Sequence, residues 1–272
     1  MEKNMSEEVK VHEHGFVKLL DIMGDDEEVE DAARISYGQG TRKTSQTRNL
    51  IRYLMRHGHT SPFEMCEVKF HMKLPIFVMR QIVRHRTANL NEYSGRYSIM
   101  SNDFYVPHDN DIQKQSKQNN QGRGEEIESK GLVKYEFNRI YDNASWAYKN
   151  LLDLDLAREL SRSVLPVGNY TEAIWKIDLH NFFKFCKLRM DGHAQKEVRD
   201  YAVAMYGMVK PKFPLCCEAF EDYVQNAVSF SQRELNIIRD NLNGSWVMSK
   251  YGLSERESTE FLEKLKTIEG EE

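Results

Sequence analysis

The sequence is poor in cysteine: Cys66, Cys186, Cys216 and Cys217 are the only four in 272 residues. None has Cys-x-x-Cys spacing, and the density is far below that of a secreted disulfide scaffold, so reduced thiols in a cytoplasm are expected. No apolar run approaches the ~20 residues that span a bilayer. The first residues, MEKNMSEEVKVHEHGFVKLLD, are acidic and lack an apolar targeting segment, so a soluble protein with no membrane partner is expected. Basic charge is not in excess either, since 38 Lys and Arg face 42 Asp and Glu for a net charge of −4. A dedicated nucleic-acid binder spreads basic charge over a whole face. No nucleic-acid partner is therefore expected, and any bound anion must be met by a local cluster. There is no internal repeat, no clear linker and no Walker-type phosphate loop. The stretch GQGTRK at 38–43 departs from a dinucleotide fingerprint, because Lys43 stands where the third glycine belongs and no strand clearly precedes it.

What the chain does have is enough apolar side chain for a sizeable core: 40% hydrophobic residues, with 13 Phe and 13 Tyr. The spacing predicts a strand in GFVKLLDIMG ending at Gly24, then a helix with acids in its first turn that runs out near Ser36. Leu50, Ile51, Leu54 and Met55 recur along one helix face between Thr44 and His57, before Gly58. Val68, Phe70, Met72 and Leu74 alternate with Glu67, Lys69, His71 and Lys73, which is the pattern of a half-buried strand. Pro75 is suited to a first helical turn, and the helix it opens carries the chain into VRHRTANLNEYSGRYS, read as a helix end leading into a loop. Residues 109–131 are polar and rich in Gln and Asn, and read as a solvated loop or insertion. Helical periodicity resumes through LVKYEFNRIYDNASWAYKNLLDL and DLARELSRSVLP. NYTEAIWKIDL puts Thr171, Ala173, Trp175 and Ile177 on one face of a strand, and helices broken at Asp191-Gly192 and Pro211 come next. The tail reads as two further helices around Asn243-Gly244. Helices mixed with separated strands, without regular alternation, indicate an α+β fold with a central mixed or antiparallel sheet. The expected division is one large domain over 1–225 and a helical extension over 226–272.

The chemistry is concentrated between Arg84 and Arg96. Gln81, Arg84 and His85 fall at i, i+3 and i+4, one helix face. Complementing the negative helix end accounts for Arg84, His85 and Arg86, but not for the residues from Thr87 onward. There Asn89, Asn91, Ser94 and Ser98 supply neutral hydrogen-bonding groups, Glu92 accepts, Gly95 allows close backbone approach and Arg96 adds a guanidinium. Phosphate recognition uses guanidinium forks, hydroxyls and backbone N–H groups, while a base or ribose uses amides and a carboxylate. Both sets are present, which leaves open an enzyme acting on a nucleotide or a non-catalytic nucleotide- or RNA-binding protein. Arg162 and Arg189 stand farther on, the latter after Phe182, Phe183, Phe185 and Leu188, a setting that can exclude water. His57, His59 and His71 lack an acidic or thiol partner at a recognised offset, so no metal site is expected. Cys216 and Cys217 read as small buried side chains on a helix after Pro214.

RHRTANLNEYSGRYS resembles the flavin-dependent thymidylate synthase motif, in which Arg-His-Arg is followed by seven residues and a serine, here Ser94. The resemblance extends through AARISYG, LIRYLMRHGHTSPFE, PIFVMRQIVRHR, SRSVLP and KLRMDGHAQKEVRDYA, in that order, over about residues 15–225. It implies a homotetramer with active sites at subunit interfaces, FAD as cofactor, dUMP as substrate, methylenetetrahydrofolate as one-carbon donor and NADPH as reductant, with no cysteine nucleophile. It further implies that Gln81, Arg84, Glu92, Tyr93, Ser94, Gly95 and Arg96 face dUMP, with Arg162 reaching in from a neighbouring subunit. Arg189 is implied as the catalytic residue against the uracil. FAD contacts are implied for His59, Ser61, Arg84, His85, Arg86, Glu92, Asp178, His180 and Lys184, with Ser36 nearby. Two departures stand out: Asn89 replaces a frequent serine, and Lys184 replaces an asparagine or histidine.

Overall fold

The computed structural model describes residues 8–35, 47–117, 122–240, 259 and 261–265. It divides into two compact units, Met1–Phe220 and Glu221–Glu272.

The first unit is built on five antiparallel strands: β1 (Glu8–Val11), β2 (Gly15–Met23), β3 (Glu67–Pro75), β4 (Asn89–Glu92) and, later in the chain, β7 (Tyr170–Asp178). Their spatial order is β1-β2-β3-β7-β4. The alternation in β3 meets a matching alternation in β7, because Val68 pairs with Ile177, Phe70 with Trp175, Met72 with Ala173 and Leu74 with Thr171. All eight side chains are buried, while Lys69, His71, Lys73, Glu172 and Lys176 point to the opposite, wetter face. One covered face and one polar face is what the period-2 pattern requires.

Helices α1 (Asp26–Arg34), α2 (Thr47–Arg56), α3 (Ser61–Glu64), α4 (Ile76–Ile82), α5 (Lys130–Asp153), α6 (Arg158–Ser161), α7 (Leu179–Arg189), α8 (Lys196–Val209) and α9 (Pro214–Phe220) complete this unit. α4, α7 and α8 pack against the sheet and one another, contributing Val78, Met79, Ile82, Phe182, Phe185, Val198, Tyr201, Ala202 and Met205 to its core. Aromatic contacts tie the layers together: Phe70 stacks on Phe182 at 5.7 Å and Trp175 meets Phe185 edge-on at 5.1 Å. Burying each such side chain contributes roughly 1.5–3 kcal/mol, so the helix that ends at Arg189 is anchored by the core.

The α+β expectation holds, with a fully antiparallel sheet, but four local readings change. Glu8–Val11 is a strand, which its mostly exposed side chains concealed. Pro75 ends β3 and caps α4 with extended ψ of 145°, since its fixed φ suits both conformations and its missing N–H is lost at a strand end. Asn89–Glu92 is an edge strand, not loop; all four side chains are exposed, so no alternation marked it. The polar segment 109–131 holds a hairpin of β5 (Gln113–Gln115) and β6 (Arg123–Glu126), with Ile112 buried beside it.

In the second unit a π-helical turn covers Glu221–Gln225, and α10 spans Gln232–Asp240. Ser231 and Glu234 form a reciprocal capping box: the Glu234 carboxylate accepts from the Ser231 N–H at 2.6 Å, and Ser231 Oγ accepts from the Glu234 N–H at 3.3 Å. Lys264 donates to the same carboxylate at 2.7 Å. Ser36 and the GQGTRK stretch lie outside the described residues.

Candidate active site

Helix α4 is short because its C-cap falls at Val83. Only Gln81 of the expected trio is therefore helical, while Arg84 lies in the next turn and His85 just past it, held by a bond from the His85 N–H to the Ile82 carbonyl at 2.9 Å. The turn still converges Gln81 and His85 on Arg189, the last residue of α7. Arg189 Nε donates to His85 Nε2 at 3.1 Å, and its two terminal nitrogens donate to Gln81 Oε1 at 3.5 Å and the Gln81 carbonyl at 3.4 Å.

Three arginines, Arg84, Arg86 and Arg189, thus lie close in sequence or space, and neither Arg84 nor Arg86 has a hydrogen-bonding or ion-pair partner among the described residues. Both are exposed at the end of the α4 turn. Burial and the like charge of Arg84 lower the Arg189 pKa from its usual value. Burial, then Arg189, push His85 down to about 4, so it is neutral near pH 7. Because its Nε2 accepts from Arg189, the ring proton sits on Nδ1. His85 also packs edge-on against Phe185 at 5.0 Å. The result is a half-dry wall of guanidinium charge with no counter-anion among the described residues, suited to holding negative charge.

A second group forms beside β4. Thr171 donates to Glu92 Oε1 at 2.9 Å, Tyr93 OH donates to the Ile99 carbonyl at 2.8 Å, and Ser94 Oγ accepts from the Arg96 N–H at 3.3 Å. Gly95 is buried where a Cβ would stand 2.8 Å from Met100 Sδ and 3.0 Å from Arg162 Cδ. Arg162 therefore abuts the motif of its own chain. Arg96 faces Glu159 at 3.4 Å. A cavity of about 390 Å³ opens here, lined by Glu92, Tyr93, Gly95, Arg162, Asn169 and Thr171 among others. Among the described residues, no hydrogen bond or ion pair links this group to the Gln81–His85–Arg189 group.

The remaining expected positions gather around α3 and the start of α7, which pack together. Ser61 opens α3 and is exposed; His59 is exposed after Gly58, whose φ is +69°, and lies stacked near Tyr53 at 5.9 Å. Asp178 is the N-cap of α7, accepting from the Asn181 N–H at 2.8 Å. Two residues on, His180 is pushed down from its usual pKa by burial and then by Lys184, which is exposed. Asn89 is exposed at the first position of β4. The four thiols are buried; burial raises Cys66 to about 11 and Cys186 and Cys216 well above the normal range.

A family described as thymidylate synthase complementing protein matches residues 18–215. The chain is 48% identical over 266 residues to the flavin-dependent thymidylate synthase of Treponema denticola, covering 97% of this chain and 98% of that one. The chain belongs to the flavin-dependent thymidylate synthases. It is also 46% identical over 271 residues to the flavin-dependent thymidylate synthase of Dictyostelium discoideum, covering 96% and 87% of the two chains. Among solved structures it resembles the UMP/dUMP methylase PolB from Streptomyces cacaoi bound with 5-Br dUMP, with a TM-score of 0.73 and 31% identity over 80% of this chain and 99% of that one. Membership in the family makes the chain an enzyme of the methyltransferase class. No helix among the described residues is long and apolar enough to cross a membrane.

Sequence reasoning missed Thr171 as the partner of Glu92, having placed it only on a buried strand face. Its polarity on that face, between Ala173 and the start of the strand, was the available signal. Gln195 and Glu197 likewise stood out only as members of the KLRMDGHAQKEVRDYA block.

Proposed function

We propose that the chain converts dUMP to dTMP, with methylenetetrahydrofolate as one-carbon donor, FAD as cofactor and NADPH as reductant. The observation that carries this reading is the unneutralised Arg189, braced by neutral His85 and by Gln81, in a chain related to a protein solved with a bound uracil nucleotide. The methylene carbon joins uracil C5, and the C5 proton leaves. The bond from that carbon to the folate nitrogen breaks so that tetrahydrofolate departs, and a hydride equivalent, two electrons with one proton, completes the methyl group. Arg189 holds negative charge on the uracil ring, because a guanidinium keeps its own proton near neutral pH even where burial and Arg84 lower its pKa. That charge makes C5 the nucleophile, so no thiol is required, in keeping with four buried cysteines.

Gln81, Arg84, Glu92, Tyr93, Ser94, Gly95, Arg96 and Arg162 complete the dUMP site in this reading. The separation of these residues into two groups within one chain supports a homotetramer whose sites join groups from neighbouring copies, Arg162 with its own chain's Gly95 on one side. His59, Ser61, Arg84, His85, Arg86, Glu92, Asp178, His180 and Lys184 hold FAD. The exposed, unpaired Arg84 and Arg86 fit its pyrophosphate, and neutral His85 and His180 fit beside its ring. When bound, the reduced flavin supplies the two electrons. Four free thiols accord with a cytoplasmic setting.

The test is tritium release from C5-labelled dUMP with FAD and NADPH, with and without methylenetetrahydrofolate. Release coupled to dTMP formation is expected. NADPH oxidation with dUMP left intact would indicate a reductase, and RNA binding with steep salt dependence and no NADPH oxidation would indicate a non-catalytic binder.

A further inference from the structure

Arg189 is one end of a longer row of hydrogen bonds. Gln81 Oε1 faces Arg189, and Gln81 Nε2 donates to Gln195 Oε1 at 2.6 Å. Gln195 Nε2 donates in turn to Glu197 Oε2 at 2.8 Å. The other Glu197 oxygen accepts from Tyr105 OH at 2.6 Å and from the guanidinium of Arg123. Glu197 is 1% exposed. Burial pushes its carboxyl up, but the bonds from Tyr105, Arg123 and Gln195 outweigh this and hold it below the usual carboxylate range.

The row has a fixed direction. A guanidinium can only donate and an ionised carboxylate can only accept. With Arg189 at one end and Glu197 at the other, each amide between them has a single orientation that satisfies both neighbours. A flipped Gln81 would turn its NH₂ toward Arg189, donor against donor. The far end of the row is set by the polar segment 109–131, which supplies Arg123 and also Asp111, 3.7 Å from that guanidinium.

We propose that Glu197 is a positioning residue for Arg189, acting through Gln195 and Gln81, and that Arg123 ties the polar 109–131 hairpin to the active site by fixing Glu197. This rests on the role of Arg189 in dUMP methylation. It assigns the hairpin a task in the reaction: it anchors the end of the row that orients the catalytic guanidinium.

The test uses the full-length holoenzyme and two variants. Glu197→Gln keeps the shape but replaces the acceptor-only end with a group that can also donate, and Arg123→Gln releases the carboxylate without touching the row itself. Each is measured for kcat and KM of dTMP formation, for melting temperature, and for the pH titration of His85 by NMR. Arg189→Ala serves as the control.

Expected in both variants are a kcat lower by about ten- to a hundredfold, since small misplacements cost that much, and a His85 titration moved upward as Arg189 loosens from it. If both variants melt near the parent temperature and retain the parental kcat and His85 titration, the proposal is overturned. A fall in kcat with His85 unmoved overturns it equally, because a merely structural role gives that pattern. Should Glu197→Gln fail to fold, the Arg123→Gln result decides alone. Undiminished turnover in Arg189→Ala would instead remove the role of Arg189, an outcome distinguishable because the His85 titration needs no turnover.

Discussion

Arg189 Nε donates to His85 Nε2 across 3.1 Å, so a permanently charged side chain leans on a ring that must stay neutral to accept it. Burial and this neighbour bring the His85 pKa from 6.5 to about 4. In the folded chain the ring binds its proton less readily than in the unfolded chain. Between pH 6.5 and about 4 the unfolded state therefore takes up more protons, and stability falls as pH falls through that window. An NMR titration of His85 should show a midpoint near 4. In Arg189→Ala the midpoint should rise but remain below 6.5, because burial is the larger cause; an unchanged midpoint would mean that the two groups do not interact.

Replacing Arg189 by alanine should lower dTMP formation on the order of 10²-fold or more, the scale of losing one preorganised charge-stabilising group. Flavin absorbance of the purified variant should persist, since the proposed flavin contacts lie mostly elsewhere, His85 being the one that Arg189 touches. Steady-state turnover and the visible spectrum check both halves. Parental turnover would take Arg189 out of the mechanism.

Gly95 has room for no side chain without movement of Met100 and Arg162. Both neighbouring atoms belong to flexible side chains, so Gly95→Ala should fold and melt close to the parent. Displacing Arg162 should raise the KM for dUMP about tenfold, a loss of ~1.4 kcal/mol. A KM equal to the parent's would separate Arg162 from nucleotide binding.

Thr171 is buried on the core face of β7 and spends its hydroxyl on Glu92 Oε1. Thr171→Val keeps the shape and removes that donor. A stability loss of about 1 kcal/mol is expected, read by denaturant titration, together with weaker dUMP binding as the Glu92 carboxylate loses its fixed orientation. Calorimetric titration with dUMP measures the second effect; affinity equal to the parent's would show that Thr171 does not orient Glu92 for the ligand.

Strong periodicity made the middle of the fold readable. β3 and β7 announce themselves through Val68 to Leu74 and Thr171 to Ile177 because one face of each is buried by the other's neighbours. β4 carried no such signal: its four side chains are exposed, and it is a strand only because β7 offers an unpaired edge. The cluster from Arg84 to Arg96 was legible as anion chemistry by residue type, but the convergence of Gln81 and His85 on Arg189 depends on a turn after a seven-residue helix. Spacing alone suggested that Gln81, Arg84 and His85 shared a helical face. The roles of Gln195, Glu197 and Arg123 are contacts between segments distant in sequence, and nothing local marks them.

Arg189 terminates a helix whose Phe182, Phe183, Phe185 and Cys186 are all buried. The backbone that carries it is therefore anchored by the core, while Gln81 and His85 align the guanidinium itself. Amide hydrogens along α7 should exchange only as slowly as the whole domain opens. In the parent chain, loss of the helix that presents the guanidinium and loss of the fold then become one event on heating, with no separate, earlier unwinding of α7.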